Sequence, residues 1–150
     1  MTDGDRSPLL SDYPDHVRMP VQWGDQDAFG HVNNTVFLRW FENGRISYLT
    51  RVGMTHDIGE ATVAPILAAL TCSFRKQLTY PDTIIIGTRV SRMGNSSMQM
   101  EHAIASEVRG EIVADGTSTV VHFDYQAGKS CTIPDALRRS INELEATRRG

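Results

Sequence analysis

The sequence predicts a single α+β domain made of one strand, one long helix, four consecutive strands and a closing helix. Three observations carry this. Hydrophobic spacing changes from period two over residues 16–23 to three- and four-residue steps over 34–51. It then returns to strand-like runs from 62 to about 126, broken only by short turn-forming stretches, which implies antiparallel neighbours. Strands therefore do not alternate with helices, which excludes a doubly wound α/β arrangement. A length of 150 residues fits one domain with a sizeable core.

Residues 1–15 are expected to be a flexible acidic arm. Asp3, Asp5, Asp12 and Asp15 outweigh Arg6, and Pro8 and Pro14 interrupt any regular pattern. The domain proper is residues 16–150. Its first strand, 16–23, places Val17, Met19, Val21 and Trp23 on one face, and Pro20 demands an edge position. The helix over 34–51 has Val36, Phe37, Trp40, Phe41, Gly44 and Tyr48 on its apolar stripe, with Asn33 or Asn34 as cap and Gly53 just beyond its end. Gly44 costs about 1 kcal/mol of helix propensity, which close approach to a sheet would offset. Glu42 and Arg45 are spaced for a surface ion pair.

After a polar link at 54–61, four strands are expected: 62–78, long enough to need a bend or bulge, then 82–93, 97–108 and 111–125. A final helix over 133–148 has Pro134 at its first position and Leu137, Ile141 and Leu144 on one stripe. One helix covers one face of a five-stranded sheet, so a homo-oligomer is expected.

Composition excludes several functions. A net charge of -3 and a pI near 5.9 argue against a general nucleic-acid binder. No apolar run reaches the roughly 18–20 residues of a membrane span. The acidic, proline-broken N-terminus is neither a signal peptide nor a transit peptide. Two cysteines, Cys72 and Cys131, are too few for a disulfide scaffold and fit free thiols in a reducing cytosol. A soluble cytoplasmic protein is expected.

Common catalytic and cofactor motifs are absent: no GxxxxGK[ST], no GxGxxG and no HExxH. Gly94-Asn95-Ser96-Ser97-Met98 fails the GxSxG elbow at its last position. The run from Asp25 half resembles a calcium loop, but Phe29 and Val36 stand where oxygen ligands are required. No metal and no cofactor is expected. What remains is a dense polar cluster between strand and helix: Asp25, Asp27, His31, Asn33 and Asn34. Local chemistry alone allows a turn with two Asx caps. It also allows a carboxylate beside the exposed N–H groups of a helix N-terminus, where a substrate carbonyl can be polarised.

The string Val21-Gln-Trp-Gly-Asp-Gln-Asp-Ala-Phe-Gly-His-Val-Asn-Asn34, followed by Phe37, Phe41-Glu42 and Arg45, closely resembles the hotdog-fold acyl-CoA thioesterases of the 4-hydroxybenzoyl-CoA thioesterase type. The resemblance covers about residues 16–140. It implies an antiparallel sheet wrapped around a long central helix, and a homodimer or homotetramer with active sites at the dimer interface. Carried over by position, it makes Asp27 the catalytic carboxylate, as nucleophile or general base, and the backbone N–H of Asn34 the oxyanion donor. His31 and Asn33 match assisting or loop-shaping positions. Asp25 is structural. Arg92, Asn95, Ser96 and Ser97 lie near the turn where relatives bind the coenzyme A nucleotide, although the basic cluster of some members is missing.

The implied activity is hydrolysis of an acyl-CoA to a free acid and coenzyme A, with no membrane or nucleic-acid partner. Two alternatives stand beside it. An acyl-carrier-protein thioesterase would use Arg138, Arg139, Arg148 and Arg149 as a docking surface, and a non-catalytic sensor would bind acyl-CoA without turnover. Met98, Met100, Leu67, Leu70, Trp40 and Phe41 fit either an acyl tunnel or the core.

Overall fold

The computed structural model describes residues 2–54 and 62–147. In chain order come β1 (Asp15–Pro20), α1 (Asn34–Arg51), β2 (Val63–Phe74), β3 (Thr83–Met93), β4 (Ser97–Ser106), β5 (Glu111–Asp124), a two-residue β6 (Lys129–Ser130) and α2 (Asp135–Ala146). The sheet is antiparallel throughout and runs β1-β3-β4-β5-β2, with β6 on the end of β5. Five long strands and two helices are those the sequence predicts; β6 is an addition. Gly128, at φ +69°, turns the chain so that Lys129 and Ser130 fold back on Asp124 and Phe123. Of the polar link expected at 54–61, residues 55–61 lie outside the described residues, and Met54 is buried.

Helix α1 occupies the expected span. Asn33 is its cap, accepting from the Thr35 amide at 2.9 Å, and Gly53 at φ +92° leads the chain away. Gly44 sits against β3, where an added Cβ would lie 2.5 Å from Thr88 Oγ1 and 2.9 Å from Ile86 Cγ2. The close helix-to-sheet approach is therefore real. The bend required of β2 is a register shift between Leu67 and Ala69 against β5. Strand β1 stops at Pro20, on the sheet edge, instead of reaching Trp23. Residues Trp23–Asp25 wind into a 3-10 turn that leaves Trp23 73% exposed.

Two apolar clusters share the space between α1 and the sheet. Phe37, Trp40 and Phe41 pack with Ile84, Ile86 and Ile104 near the start of α1. Tyr48 and Leu49 pack with Met98, Met100 and the Leu137 and Ile141 side chains of α2 near its end. Met98, Met100, Trp40 and Phe41 are thus core, whereas Leu67 is exposed and Leu70 half-buried on β2. Arg45 does not form the expected surface pair with Glu42. It is buried and donates to Ser118 Oγ at 3.3 Å, because its helix position points nearer the sheet than that of Glu42.

The segment expected as a loose arm is packed on the outer face of the sheet. Leu10 is fully buried with Ile85, Ala103 and Ala105. The Tyr13 ring lies where a Cβ on Gly87 would stand, 2.9 Å away, and the Arg89 guanidinium covers that ring at 4.6 Å. His16 ties the strap down: its Nδ1 accepts from the Ser7 amide at 3.1 Å, and its Nε2 meets the Leu10 and Tyr13 carbonyls at 2.8 and 2.9 Å. The acidic composition hid Leu10, the apolar anchor of the segment. Leu10→Ala is expected to cost about 2–4 kcal/mol, read as a lower urea midpoint; an unchanged midpoint would mean that the strap does not contribute to the fold.

Candidate active site

The loop between β1 and α1 is organised around Asp25, which is buried. Its Oδ2 accepts from the Gln22 amide at 2.8 Å, its Oδ1 from Arg39 Nη2 at 2.9 Å, and its carbonyl from the Asn33 amide at 2.9 Å. Both carboxylate oxygens and the carbonyl of Asp25 are thus engaged in holding the loop. The next turn is narrower. The Asp27 amide donates to the His31 carbonyl at 2.7 Å, Gly30 takes φ +81°, and the Val32 amide donates to the Leu78 carbonyl at 2.8 Å.

This folding pins one oxygen of Asp27 and leaves the other. Oδ1 accepts from the Phe29 amide at 2.8 Å and the His31 amide at 3.3 Å. Oδ2 makes no hydrogen bond among the described residues. Asp27, His31 and Asn34 line one cleft of about 510 Å³, with Phe29, Phe37 and Phe74 as its apolar wall. The Asn34 amide is the first of α1 and makes no hydrogen bond among the described residues. An α-helix has no acceptor for that group. The Asn33 side chain, by contrast, is taken up in capping Thr35. The structure thus brings Asp27, His31 and Asn34 together and leaves Asn33 outside the cleft lining.

Sequence reasoning missed part of the cleft lining: Arg75, Lys76 and Gln77, from the connection between β2 and β3. Their signal was a polar triplet interrupting an apolar run before Leu78. Arg75 is held by Asp115 at 3.1 Å, and Lys76 makes no ion pair among the described residues.

Arg92, Asn95, Ser96 and Ser97 lie elsewhere in this chain. Their hairpin is held by α2: Arg138 Nη2 donates to the Gly94 and Asn95 carbonyls at 2.6 and 2.9 Å. The neighbouring Met93 and Met98 pack with Tyr48 and Val52 at the far end of α1. Eighteen helical residues span about 27 Å, so within one chain these four residues stand far from Asp27.

A model of the thioesterase-like superfamily matches residues 21–141, spanning the loop, α1, strands β2 to β6 and the first half of α2. The chain belongs to that superfamily. It is a thioester hydrolase with the hotdog fold. This thioesterase is similar to a solved thioesterase of Thermus thermophilus in complex with coenzyme A and zinc: 32% identity, TM-score 0.78, covering 90% of this chain and 96% of that one. The solved PA5185 protein of Pseudomonas aeruginosa PAO1 is 31% identical with TM-score 0.80, covering 91% and 95%. The long-chain acyl-CoA thioesterase FadM of Escherichia coli K12 is 22% identical over 118 residues, 79% of this chain and 89% of FadM.

The thioesterase also contains a Ser–His pair with the spacing of a nucleophile and its base. His102 Nε2 lies 2.6 Å from Ser118 Oγ, its Nδ1 lies 3.1 Å from Thr88 Oγ1, and its ring stacks on Phe41. All three polar residues are completely buried, so no substrate reaches them. Burial, with Arg45 adding repulsion, pushes the His102 imidazolium down to about 3. The unfolded chain takes up a proton here near 6.5 and the folded chain does not. The contribution of His102 to stability is therefore present above about pH 6.5 and is lost as pH drops toward 3. Urea midpoints across that range should show this slope, and His102→Gln should flatten it. Cys72 is equally inert: burial, with Asp115 adding to it, pushes its thiol up to about 11. Among the described residues no cluster of His, Cys, Asp and Glu is arranged to hold a metal, and no helix is long and apolar enough to cross a membrane.

Proposed function

We propose that this thioesterase hydrolyses acyl-CoA at the cleft that joins Asp27 to the start of α1. The observation that carries the reading is the half-engaged carboxylate. Two backbone amides orient Asp27 through Oδ1, and Oδ2 is left available beside an unbonded helix-start amide. A thioester carbonyl seated against the Asn34 N–H gains a donor for its developing oxyanion, and the positive end of α1 favours that charge.

Two routes use the same atoms. In one, Oδ2 attacks the carbonyl carbon, the C–S bond breaks, coenzyme A leaves as thiolate, and water then hydrolyses the mixed anhydride. In the other, Oδ2 takes a proton from a water whose oxygen attacks the carbonyl, and that proton passes to the departing sulfur. His31, on the cleft wall, shapes the loop through its carbonyl and amide.

The reading includes a homodimer or homotetramer with the site at the interface. One edge of β2 is unpaired among the described residues, and Ile66, Leu67 and Phe74 are exposed on that strand. Antiparallel pairing of two β2 edges sets the Val63 end of one copy beside the Phe74 end, and hence the cleft, of the other. The partner's hairpin then approaches this cleft, giving Arg92, Asn95, Ser96 and Ser97 a route to the nucleotide that one chain does not offer. The coenzyme A complex of the Thermus relative and the activity in FadM's name support coenzyme A as the acyl carrier. Arg138, one arginine of the carrier-docking alternative, is occupied by two carbonyls; Arg148 and Arg149 lie outside the described residues. Both cysteines are free, as a reducing cytoplasm keeps them.

Thiol release from aromatic, short-chain and long-chain acyl-CoAs tests the activity. Turnover of at least one is expected. Binding without thiol release would favour the sensor, and release only from acylated carrier protein would favour the other alternative.

A further inference from the structure

One flank of α1 carries a charge pattern that the described residues of a single chain do not complete. Helix positions advance by roughly 100° per residue, so Leu38, Glu42, Arg45 and Ile46 lie along one side. The adjoining arc, from Arg39 round to Arg51, is engaged at or just after β1: Asn43 reaches Met19, Arg51 reaches Asp15 and Arg39 reaches Asp25. Arg45 instead reaches Ser118 on β5, the strand beside β2. The incomplete flank and the unpaired edge of β2 therefore face the same way.

Arg45 is only 9% exposed, yet its guanidinium makes one hydrogen bond and no ion pair among the described residues. A guanidinium has five N–H donors, and a buried cation without a counterion is costly. Its remaining nitrogens are not among the fully enclosed unsatisfied atoms, so an acceptor can reach them from outside. Burial disfavours its charge, and Glu42 on the same helix opposes that from beyond ion-pair distance. Glu42 is itself exposed and makes no ion pair among the described residues. Ile46, one turn further on, is 56% exposed.

We propose that a second copy of this chain supplies the counterion: across a two-fold axis the two α1 flanks lie antiparallel, and Glu42 of each copy pairs with Arg45 of the other. The sequence spacing allows this without adjustment. Residues 42 and 45 straddle the centre of an 18-residue helix, so two such helices crossing antiparallel at their middles set one opposite the other. A two-fold interface must be self-complementary, and an acid and a base one turn apart on one face satisfy that condition twice. Leu38 and Ile46 close apolar contact around the pairs, continuous with the exposed apolar residues of β2. The inference rests on the homodimer of the proposed function and specifies what locks it.

Sedimentation equilibrium over a dilution series tests it with wild type, Glu42→Arg, Arg45→Glu and their equimolar mixture, with circular dichroism to check folding. Wild type is expected to be at least dimeric. Each reversal alone should raise the dimer Kd by about 100-fold, because like charges then face each other twice. Mixing the two should restore association, since the exchanged charges meet again in the mixed dimer. Should Arg45→Glu fail to fold, Glu42→Gln replaces it, with about a 10-fold rise and a loss of the salt dependence seen in wild type. A Glu42→Arg dimer as tight as wild type overturns the lock, and a wild type that is monomeric throughout overturns the lock and the dimer together. Restored pairing in a protein that releases no thiol from any acyl-CoA leaves the lock standing and sinks the proposed activity alone.

Discussion

Asp27→Asn is expected to lower kcat on acyl-CoA by at least about 100-fold, the scale of losing a principal nucleophile or general base, with little change in KM. The substitution separates the two jobs of this side chain. Asparagine keeps an acceptor oxygen for the Phe29 and His31 amides, which now bond Oδ1 at 2.8 and 3.3 Å, so the loop should hold its shape. It replaces the unbonded Oδ2 with an amide nitrogen that neither attacks a carbonyl nor accepts a proton. Thermal midpoints should therefore match wild type while turnover collapses, a split that a merely structural aspartate would not give. Full activity in this variant would remove Asp27 from the mechanism and leave the fold assignment intact. Asp25→Asn offers the contrast: its carboxylate accepts from Gln22 and Arg39, so that change should show first as lost stability.

The second large effect concerns the core. Gly44→Ala would stabilise an isolated helix by about 1 kcal/mol, yet here it is expected to destabilise the protein by about 2 kcal/mol, within the range of core overpacking. The new methyl would meet Thr88 Oγ1 at 2.5 Å and Ile86 Cγ2 at 2.9 Å. Both residues are β-branched, fully buried and stiff at χ1, so neither has an easy alternative rotamer. Thr88 Oγ1 also bonds His102, and moving it leaves a buried imidazole nitrogen unsatisfied. Urea midpoints measure the loss. A midpoint raised above wild type would mean that α1 can lift from the sheet at little cost.

The legible parts of this protein share a physical cause, namely local signals strong enough to stand alone. The span of α1 follows from its 3.6-residue apolar spacing, an Asn33 cap and Gly53. The four later strands follow from β-branched runs separated by turn residues. The candidate site was legible because its central group is nearly contiguous: Asp27, His31 and Asn34 lie within eight positions and one turn brings them into one cleft. The same locality made the family recognisable from a single string.

Other features were decided only when distant segments met. The acidic composition of residues 1–15 suggested a flexible arm, but Leu10 had a partner surface in Ile85, Ala103 and Ala105. Arg75, Lys76 and Gln77 became cleft residues because the Val32–Leu78 hydrogen bond draws the end of β2 onto the loop. Arg92 and Asn95 were separated from Asp27 by the length of α1. Arg45 shows the limit most plainly. Three-residue spacing from Glu42 predicts a surface pair, and only the course of β5 beneath the helix turns that arginine inward to Ser118. Periodicity and capping act over a few residues and are written in sequence, whereas which surface receives a side chain depends on contacts between segments that no local pattern specifies.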